Sequence, residues 1–114
     1  MPFTFTEDSA TIGTTEYSLP NDSTTLTPQT NQVMLQVFLA LNAMAAGDQY
    51  QIRINEKVNT SADTQRTVYE SIVTGVQPFL WVSPSLLLGT GWDVTVKKLA
   101  GTDRAIGWSL RKVT

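Results

Sequence analysis

The clearest hydrophobic pattern of the chain lies in residues 49–58, where apolar and polar side chains alternate, with one break at Glu56. Because successive side chains of a β-strand point to opposite faces, this pattern predicts a strand with one buried and one solvated face. We predict that it is a central strand of an antiparallel sheet. The predicted inward residues are Tyr50, Ile52, Ile54 and Val58, and the outward ones are Gln51, Arg53, Asn55 and Lys57.

Residues 33–41 alternate as well, but both of their faces are largely apolar. The spacing is also compatible with a helix, and the β-branched and aromatic content favours a strand. One face carries Val33, Leu35, Val37, Leu39 and Leu41, and the other carries Met34, Gln36, Phe38 and Ala40. The second face is too apolar for open water, so we expect it to be covered by the first 32 residues or by a partner.

Further strands are predicted downstream. In residues 65–74 the pattern leaves two registers open, with either Val68 and Ile72 or Tyr69 and Val73 inward. Residues 79–82 are apolar on both faces, and Pro84 marks an edge or a strand end because proline has no N–H to donate. In the last two strands the predicted inward residues are Trp92, Val94, Val96, Ile106, Trp108 and Leu110.

The remaining segments are polar or short. Residues 42–48 predict one helical turn, begun by Asn42 and ended by Gly47 in a left-handed conformation. Residues 1–32 predict a polar, acidic, extended arm with short strands at 11–18 and 24–26 and a turn at 20–23. With seven or eight strands and short loops, residues 33–114 predict an all-β, single-domain antiparallel β-sandwich, jelly-roll-like in type.

Composition narrows the possible functions. The 114 residues include no cysteine and no histidine, which removes thiolate chemistry, the commonest metal ligand and the usual general base. A net charge of −2 favours neither nucleic acid nor an anionic membrane as a partner. No signal peptide is recognisable, and no apolar run approaches the length of a membrane span, so we expect synthesis in the cytoplasm.

Charge is distributed unevenly along the chain. Residues 1–48 contain five acidic and no basic side chains, whereas residues 49–114 contain all eight basic side chains and five acidic ones. This asymmetry favours packing of the acidic half on the basic half of the same chain. A head-to-tail contact between subunits is the alternative.

Candidate catalytic and binding residues are few. Glu56 and Glu70, on neighbouring predicted strands, are a possible acid–base pair, but Lys57 and Arg66 lie equally near, which favours cross-strand ion pairs. No base, orienting group or oxyanion donor accompanies them, and the glycine-containing loops lack a phosphate-binding pattern. We therefore predict no enzyme activity, no cofactor, no metal and no small-molecule substrate.

Aromatic and surface residues are open to two interpretations each. Trp92, Trp108 and Tyr50 are possible stacking surfaces for a sugar or a base, but their inward phase favours a role in the core. Trp81 lies in the doubly apolar segment, where an interface is expected. Lys97 and Lys98 are predicted to be solvated charges that protect a sheet edge. The remaining patterns are two glycosylation sequons, at Asn21 and Asn59.

Several segments between residues 33 and 113 resemble a class of small virion proteins of tailed bacteriophages. They are residues 45–58, with Ala-Ala-Gly-Asp-Gln-Tyr; residues 81–86, Trp-Val-Ser-Pro-Ser-Leu; residues 91–96, Gly-Trp-Asp-Val-Thr-Val; and residues 100–111, from Ala-Gly-Thr-Asp-Arg onward. Proteins of this class decorate or cement capsids as oligomers that brace neighbouring shell subunits. Residues 1–32 take no part in the resemblance.

The resemblance implies a capsid decoration protein of the virion, whose partners are other copies of itself and a phage capsid protein. The expected interface residues are Met34, Phe38, Phe79 and Trp81. The alternative is a carbohydrate- or receptor-binding module of a tail fibre or spike, which requires an exposed Trp or Tyr beside polar loops. An accessory domain of an enzyme is a third hypothesis.

Overall fold

The computed structural model describes residues 4–58 and 64–113. These residues form nine strands and no helix, and therefore no helix that could cross a membrane. The strands are β1 (Thr4–Ile12), β2 (Tyr17–Ser18), β3 (Val33–Ala40), β4 (Gln49–Glu56), β5 (Arg66–Thr74), β6 (Trp81–Val82), β7 (Leu86–Leu88), β8 (Asp93–Ala100) and β9 (Arg104–Val113).

The strands form two antiparallel sheets. Sheet A has the order β1-β9-β3, and β6 and β7 pair one after the other with the remaining edge of β3. Sheet B has the order β2-β8-β4-β5. The two sheets pack face to face around one hydrophobic core, which confirms the predicted all-β sandwich.

The core consists mainly of the inward faces predicted from alternation. Every second residue of β3 is at most 5% exposed, and the central strand β4 contributes Tyr50, Ile52 and Ile54, which are fully buried. The prediction for Val58 is wrong: β4 ends at Glu56, and Val58 is 77% exposed. The inward residues of β8 and β9 and the preceding Trp92 are also buried as predicted: Trp92, Val94, Val96, Ile106, Trp108 and Leu110.

The segment between β3 and β4 is not the predicted helical turn. It forms two consecutive tight turns, in which the N–H of Met44 donates to Leu41 O and the N–H of Asp48 donates to Ala45 O, both at 3.1 Å. The carboxylate of Asp48 also accepts the N–H of Ala45, which favours a closed turn over a helix. Gly47 has a φ of +90°, the left-handed conformation that the sequence predicted.

The N-terminal segment differs from the predicted short strands at 11–18 and 24–26. β1 pairs along all nine residues with β9, from Thr4 opposite Lys112 to Ile12 opposite Arg104. The chain then crosses to sheet B, where β2 pairs with β8. Ile12 is almost fully buried in the core. The predicted turn at 20–23 is present, closed by backbone hydrogen bonds between Ser18 and Ser23.

Two edge positions complete the architecture. β5 is the edge strand of sheet B, and Tyr69 and Val73 point inward, so the register left open by the sequence is resolved. The short β2 pairs with Thr95 and Val96 of β8 and ends before Lys97 and Lys98, so the edge role of these lysines stays a prediction. The backbone of Lys98 donates to Gly13 O, and its amine lies 2.5 Å from Asp103 Oδ1.

Candidate docking surface

The best-connected polar cluster of the molecule is centred on the buried Asp48. Its Oδ1 accepts the N–H of Thr102 at 3.0 Å, and its Oδ2 accepts the N–H of Ala45 at 2.9 Å and Nε of Arg104 at 2.7 Å. The two backbone donors and Arg104 lower the pKa of Asp48 to about 2. The carboxylate is thus saturated by its own chain, which is the arrangement of a structural anchor.

The hydroxyl of Tyr50 extends this anchor into the core. It donates to Ile12 O at 2.8 Å and accepts the N–H of Arg104 at 2.8 Å. Tyr50 therefore joins the end of β1 to the beginning of β9 from the centre of sheet B. Since the ring is fully buried, Tyr50 has no surface to offer a ligand.

The two glutamates considered for catalysis lie on paired strands but have separate partners. Glu70 is opposite Arg53, with Arg53 Nε 2.7 Å from Glu70 Oε1, and it also accepts Gln51 Nε2 at 3.0 Å. Glu56 accepts the backbone N–H of Gly89. A cross-strand ion pair is thus confirmed for Glu70, although its partner is Arg53 and not Lys57 or Arg66.

A second buried carboxylate, Asp93, lies under the N-terminal segment. It accepts the hydroxyl of Ser18 at 2.7 Å and the N–H of Val94 at 2.8 Å. Burial raises the pKa of Asp93 above its usual value, and the nearby Glu16 adds to this shift. Among residues 4–58 and 64–113, no three Asp or Glu side chains are grouped so that they could hold a metal ion.

The tryptophans do not form the stacking platform that a sugar-binding module needs. Trp92 and Trp108 are 1% and 5% exposed, and the indole N–H of Trp92 donates to Asn31 O at 3.0 Å. Trp81 points inward from β6, where its ring lies 6.3 Å from that of Tyr69 and its N–H donates to Ser71 Oγ at 3.3 Å. Trp81 therefore connects the β6 edge of sheet A to β5 of sheet B.

Exposed apolar side chains are concentrated on the outer face of sheet A. On β3, Met34 and Phe38 point outward, and Leu87 and Val82 lie directly opposite them on β7 and β6. Leu87 is 79% exposed, whereas Met34 is 41% exposed. The loop that leads into β6 adds Phe79 and Leu80, which are 84% and 62% exposed. We call Met34, Phe38, Leu80, Val82, Leu87 and the nearby Phe5 and Arg111 the outer face of sheet A.

Arg111 lies among these apolar side chains. Its Cζ is 3.7 Å from the centroid of the Phe38 ring and 5.2 Å from that of Phe5. Such cation–π contacts hold the guanidinium over the rings. Within the residues that the structure describes, Arg111 forms no ion pair, so its charge is available to an anionic group of a partner.

Two shallow depressions lie on this side of the molecule. One, of about 280 Å³, lies between Phe38, Leu80 and Arg111. The other, of about 480 Å³, runs between Met34, Leu87 and Val113. Their linings are mainly apolar, and the smaller depression also contains the charged side chains of Glu7, Asp8 and Arg111. The apolar parts suit the side chains of a protein partner.

The outer face of sheet B has a different character. Its polar side chains bond to one another, as in the Arg53–Glu70 ion pair and the hydrogen bond from Thr95 to Glu16. Val68 and Ile72 are exceptions at the β5 edge, each about half exposed. Sheet A therefore presents the larger apolar surface.

The predicted interface set falls into two groups. Met34 and Phe79 are exposed on or beside the outer face of sheet A, and Phe38 is half-buried there. Trp81 is turned into the sandwich, and the role of all four in binding stays a prediction. Leu87 and Arg111 were missed. The run of three leucines at 86–88 next to Gly89 was the available signal, because three consecutive leucines in a strand cannot all point inward.

Comparisons with known proteins identify no relative. No family model matches the sequence, no curated protein matches it, and no solved structure matches the fold.

Proposed function

We propose that this chain is a structural protein of a tailed-phage particle, a capsid decoration or cement protein that binds the shell through the outer face of sheet A. The observation that carries the proposal is the concentration of exposed apolar side chains on that face, chiefly Met34, Val82 and Leu87, around the half-buried Phe38. Contiguous apolar surface of this kind is typical of protein–protein contact sites. The resemblance to phage virion proteins supplies the particle and the partner.

The chemistry of the face defines what the partner should present. Aliphatic or aromatic side chains of the shell would fill the two depressions, and a carboxylate would pair with Arg111 above Phe38. Arginine and aromatic residues are enriched among the residues that dominate binding energy. An ion pair at the rim of the contact would be screened by salt, so binding should weaken as ionic strength rises.

The proposal assigns the chain no enzymatic activity, and its place of action is the virion. The polar clusters around Asp48 and Asp93 are occupied by hydrogen bonds of the chain itself. The burial of Trp92 and Trp108 disfavours the alternative of a sugar-binding module. We therefore retain the decoration function alone.

Co-sedimentation with undecorated shells tests the proposal, using shells of the major capsid protein encoded in the same genome. Leu87→Ser removes a strongly exposed side chain from the outer face of sheet A. The matched control is Val58→Ser, which removes an equally exposed aliphatic side chain, 77% against 79%, from a position after β4.

We expect the unmodified chain and Val58→Ser to bind with similar affinity and Leu87→Ser to bind at least tenfold more weakly. A loss of tenfold corresponds to about 1.4 kcal/mol, within the range for burying one leucine. Absence of binding at every salt concentration would refute the decoration function. Equal losses for the two variants would refute the assignment of the face.

A further inference from the structure

Sheet B ends at the β5 edge, which is the side of residues 66–74 that faces away from β4. β5 pairs with β4 alone, and the backbone of Thr67–Val73 makes no hydrogen bond to any other described segment. An uncovered strand edge presents a row of unused N–H and C=O groups, which can pair with a strand of another chain. Nine residues are long for an unprotected edge.

The other nine-residue edge, β1, is protected by charge. Glu7 and Asp8 lie next to each other at its middle, and neither forms an ion pair within residues 4–58 and 64–113. Pairing two copies of β1 would bring four carboxylates together, which is destabilising. β5 contains no proline, no lysine and no pair of adjacent like charges; its pairing with β4 carries a bulge at Val68, and Glu70 is its one acidic residue.

The outward side chains of β5 are arranged symmetrically around Glu70. Val68 and Ile72 lie two residues before and after it, and they are 48% and 49% exposed. Antiparallel pairing of two β5 strands about a two-fold axis at Glu70 is regular over Tyr69–Ser71 and reaches the bulge residue Val68 at either end. It brings Val68 of each copy directly opposite Ile72 of the other, so four half-exposed apolar side chains become two cross-strand pairs.

The central position does not oppose this register. Two Glu70 side chains would meet on the axis, but each carboxylate is already paired with Arg53 at 2.7 Å and hydrogen-bonded by Gln51. On the inward side, Tyr69 would lie opposite the small Ser71. Neither pair introduces an uncompensated charge or a bulky clash.

We propose that a second copy of this chain binds the β5 edge, antiparallel and in the register centred on Glu70. The two B sheets then form one continuous eight-stranded sheet. The outer face of sheet A takes no part in this contact, so the proposal does not depend on the decoration function.

The native mass in solution is the first test. We expect a dimer with twice the 12.5 kDa mass of the chain. Val68→Asp adds a carboxylate beside Glu70 of the second copy and should raise the dimer dissociation constant at least tenfold. The matched control, Leu87→Asp on sheet A, should leave that constant unchanged. Circular dichroism verifies that both variants retain the sheet.

Disulfide trapping tests the register and does not depend on destabilising the dimer. Because the chain has no cysteine, Val68→Cys and Ile72→Cys each introduce a single thiol at a half-exposed position. In the proposed register these two positions are directly opposite, within the Cα separation that a disulfide spans, whereas Val68 lies far from Val68 of the second copy.

An oxidised mixture of the two cysteine variants should therefore form a covalent dimer, and each variant alone should not. A monomeric mass at a chain concentration of about 100 μM would overturn the proposal, because ordinary specific contacts have dissociation constants below that concentration. So would absence of the disulfide in the mixture, its formation by Val68→Cys alone, or loss of the dimer in Leu87→Asp with its retention in Val68→Asp.

Discussion

Arg104 Nε lies 2.7 Å from Oδ2 of the buried Asp48, and this ion pair joins the basic half of the chain to its acidic half. Asp48 is the last residue of the acidic half, and Arg104 begins β9, the strand on which β1 lies. The pairing agrees with the interpretation that the uneven charge is partly satisfied within one molecule. It also makes Asp48 the residue whose titration is most informative.

The hydrogen bonds to Asp48 predict a dependence of stability on pH. The pKa is about 2 in the folded state, below the usual 3.8, so the folded state favours the ionised carboxylate. The resulting stabilisation is present above pH 3.8 and is lost as the pH falls towards 2. Asp48→Asn should lower the urea midpoint at pH 7 and flatten the decline of stability below pH 4.

Asp103→Asn is the control for that experiment. Asp103 also forms an ion pair, with Lys98, but its side chain is 52% exposed, and exposed pairs contribute about 0–1 kcal/mol. Its effect on the midpoint should be smaller than that of Asp48→Asn. Equal effects of the two substitutions would contradict the anchoring role of Asp48.

Gly101 is required by its closeness to Asp48. Its φ is +91°, and a Cβ there would lie 2.1 Å from Asp48 Oδ1 and 2.7 Å from Asp48 Cα. Gly101→Ala should therefore destabilise the fold by more than about 2 kcal/mol, measured by urea unfolding. Gly47→Ala is the matched control, since φ is +90° and no atom lies within 4 Å. Gly47→Ala should lower the unfolding free energy only by the cost of a Cβ in the left-handed conformation, about 1–2 kcal/mol.

The hydroxyl of Tyr50 has a measurable role in stability. Tyr50→Phe leaves the Ile12 carbonyl and the Arg104 N–H without this partner. Unpaired buried groups cost about 1–3 kcal/mol, so the unfolding free energy should fall by that amount. Tyr69→Phe is the control, because the Tyr69 hydroxyl makes no hydrogen bond within the described residues, and its effect should be near zero. A similar loss in both variants would contradict the anchoring role of Tyr50.

Asp93 should behave in the opposite sense to Asp48. Burial raises its pKa in the folded state, so its contribution favours folding below pH 3.8 and is lost as the pH rises through the raised value. Asp93→Asn keeps an oxygen to accept from Ser18 and Val94 and removes the charge. The stability of Asp93→Asn at pH 7, measured by urea unfolding, should equal or exceed that of the unmodified chain.

Asp93→Ala provides the comparison, because it leaves the hydroxyl of Ser18 and the N–H of Val94 without their acceptor. It should lose about 1–3 kcal/mol. If Asp93→Asn were as unstable as Asp93→Ala at pH 7, the carboxylate charge itself would be needed for folding, contrary to this expectation.

Alternation predicted the strands whose two faces differ in polarity. β4, β8 and β9 each bury one phase completely in their central parts, and their inward residues followed from the sequence. β1 was not predicted because Glu7, Asp8 and Ser9 give it no apolar stripe; pairing of its backbone with β9 holds it in place. For β5 each phase contains two apolar residues, and the packing of Tyr69 and Val73 against the core decides between them.

The exposed apolar face of sheet A was predicted in part for the same reason. Met34 and Phe38 were recognised because they share a phase opposite to the core-facing residues of β3. Leu87 and Arg111 become neighbours of that phase only through pairing with strands distant in sequence, and a local pattern does not contain this information. The predicted helical turn at 42–48 does not form, because the carboxylate of Asp48 folds back and accepts the N–H of Ala45.

The pairing of β1 with β9 has a consequence for synthesis on the ribosome. Because Thr4 pairs with Lys112, more than a hundred residues must be translated before β1 can pair fully with β9. Until then β1 has no strand to pair with, and the nascent chain depends on cellular factors that shield exposed apolar strands. Closure of so long a loop is slow, and we expect this protein to mature only after its last strand has emerged.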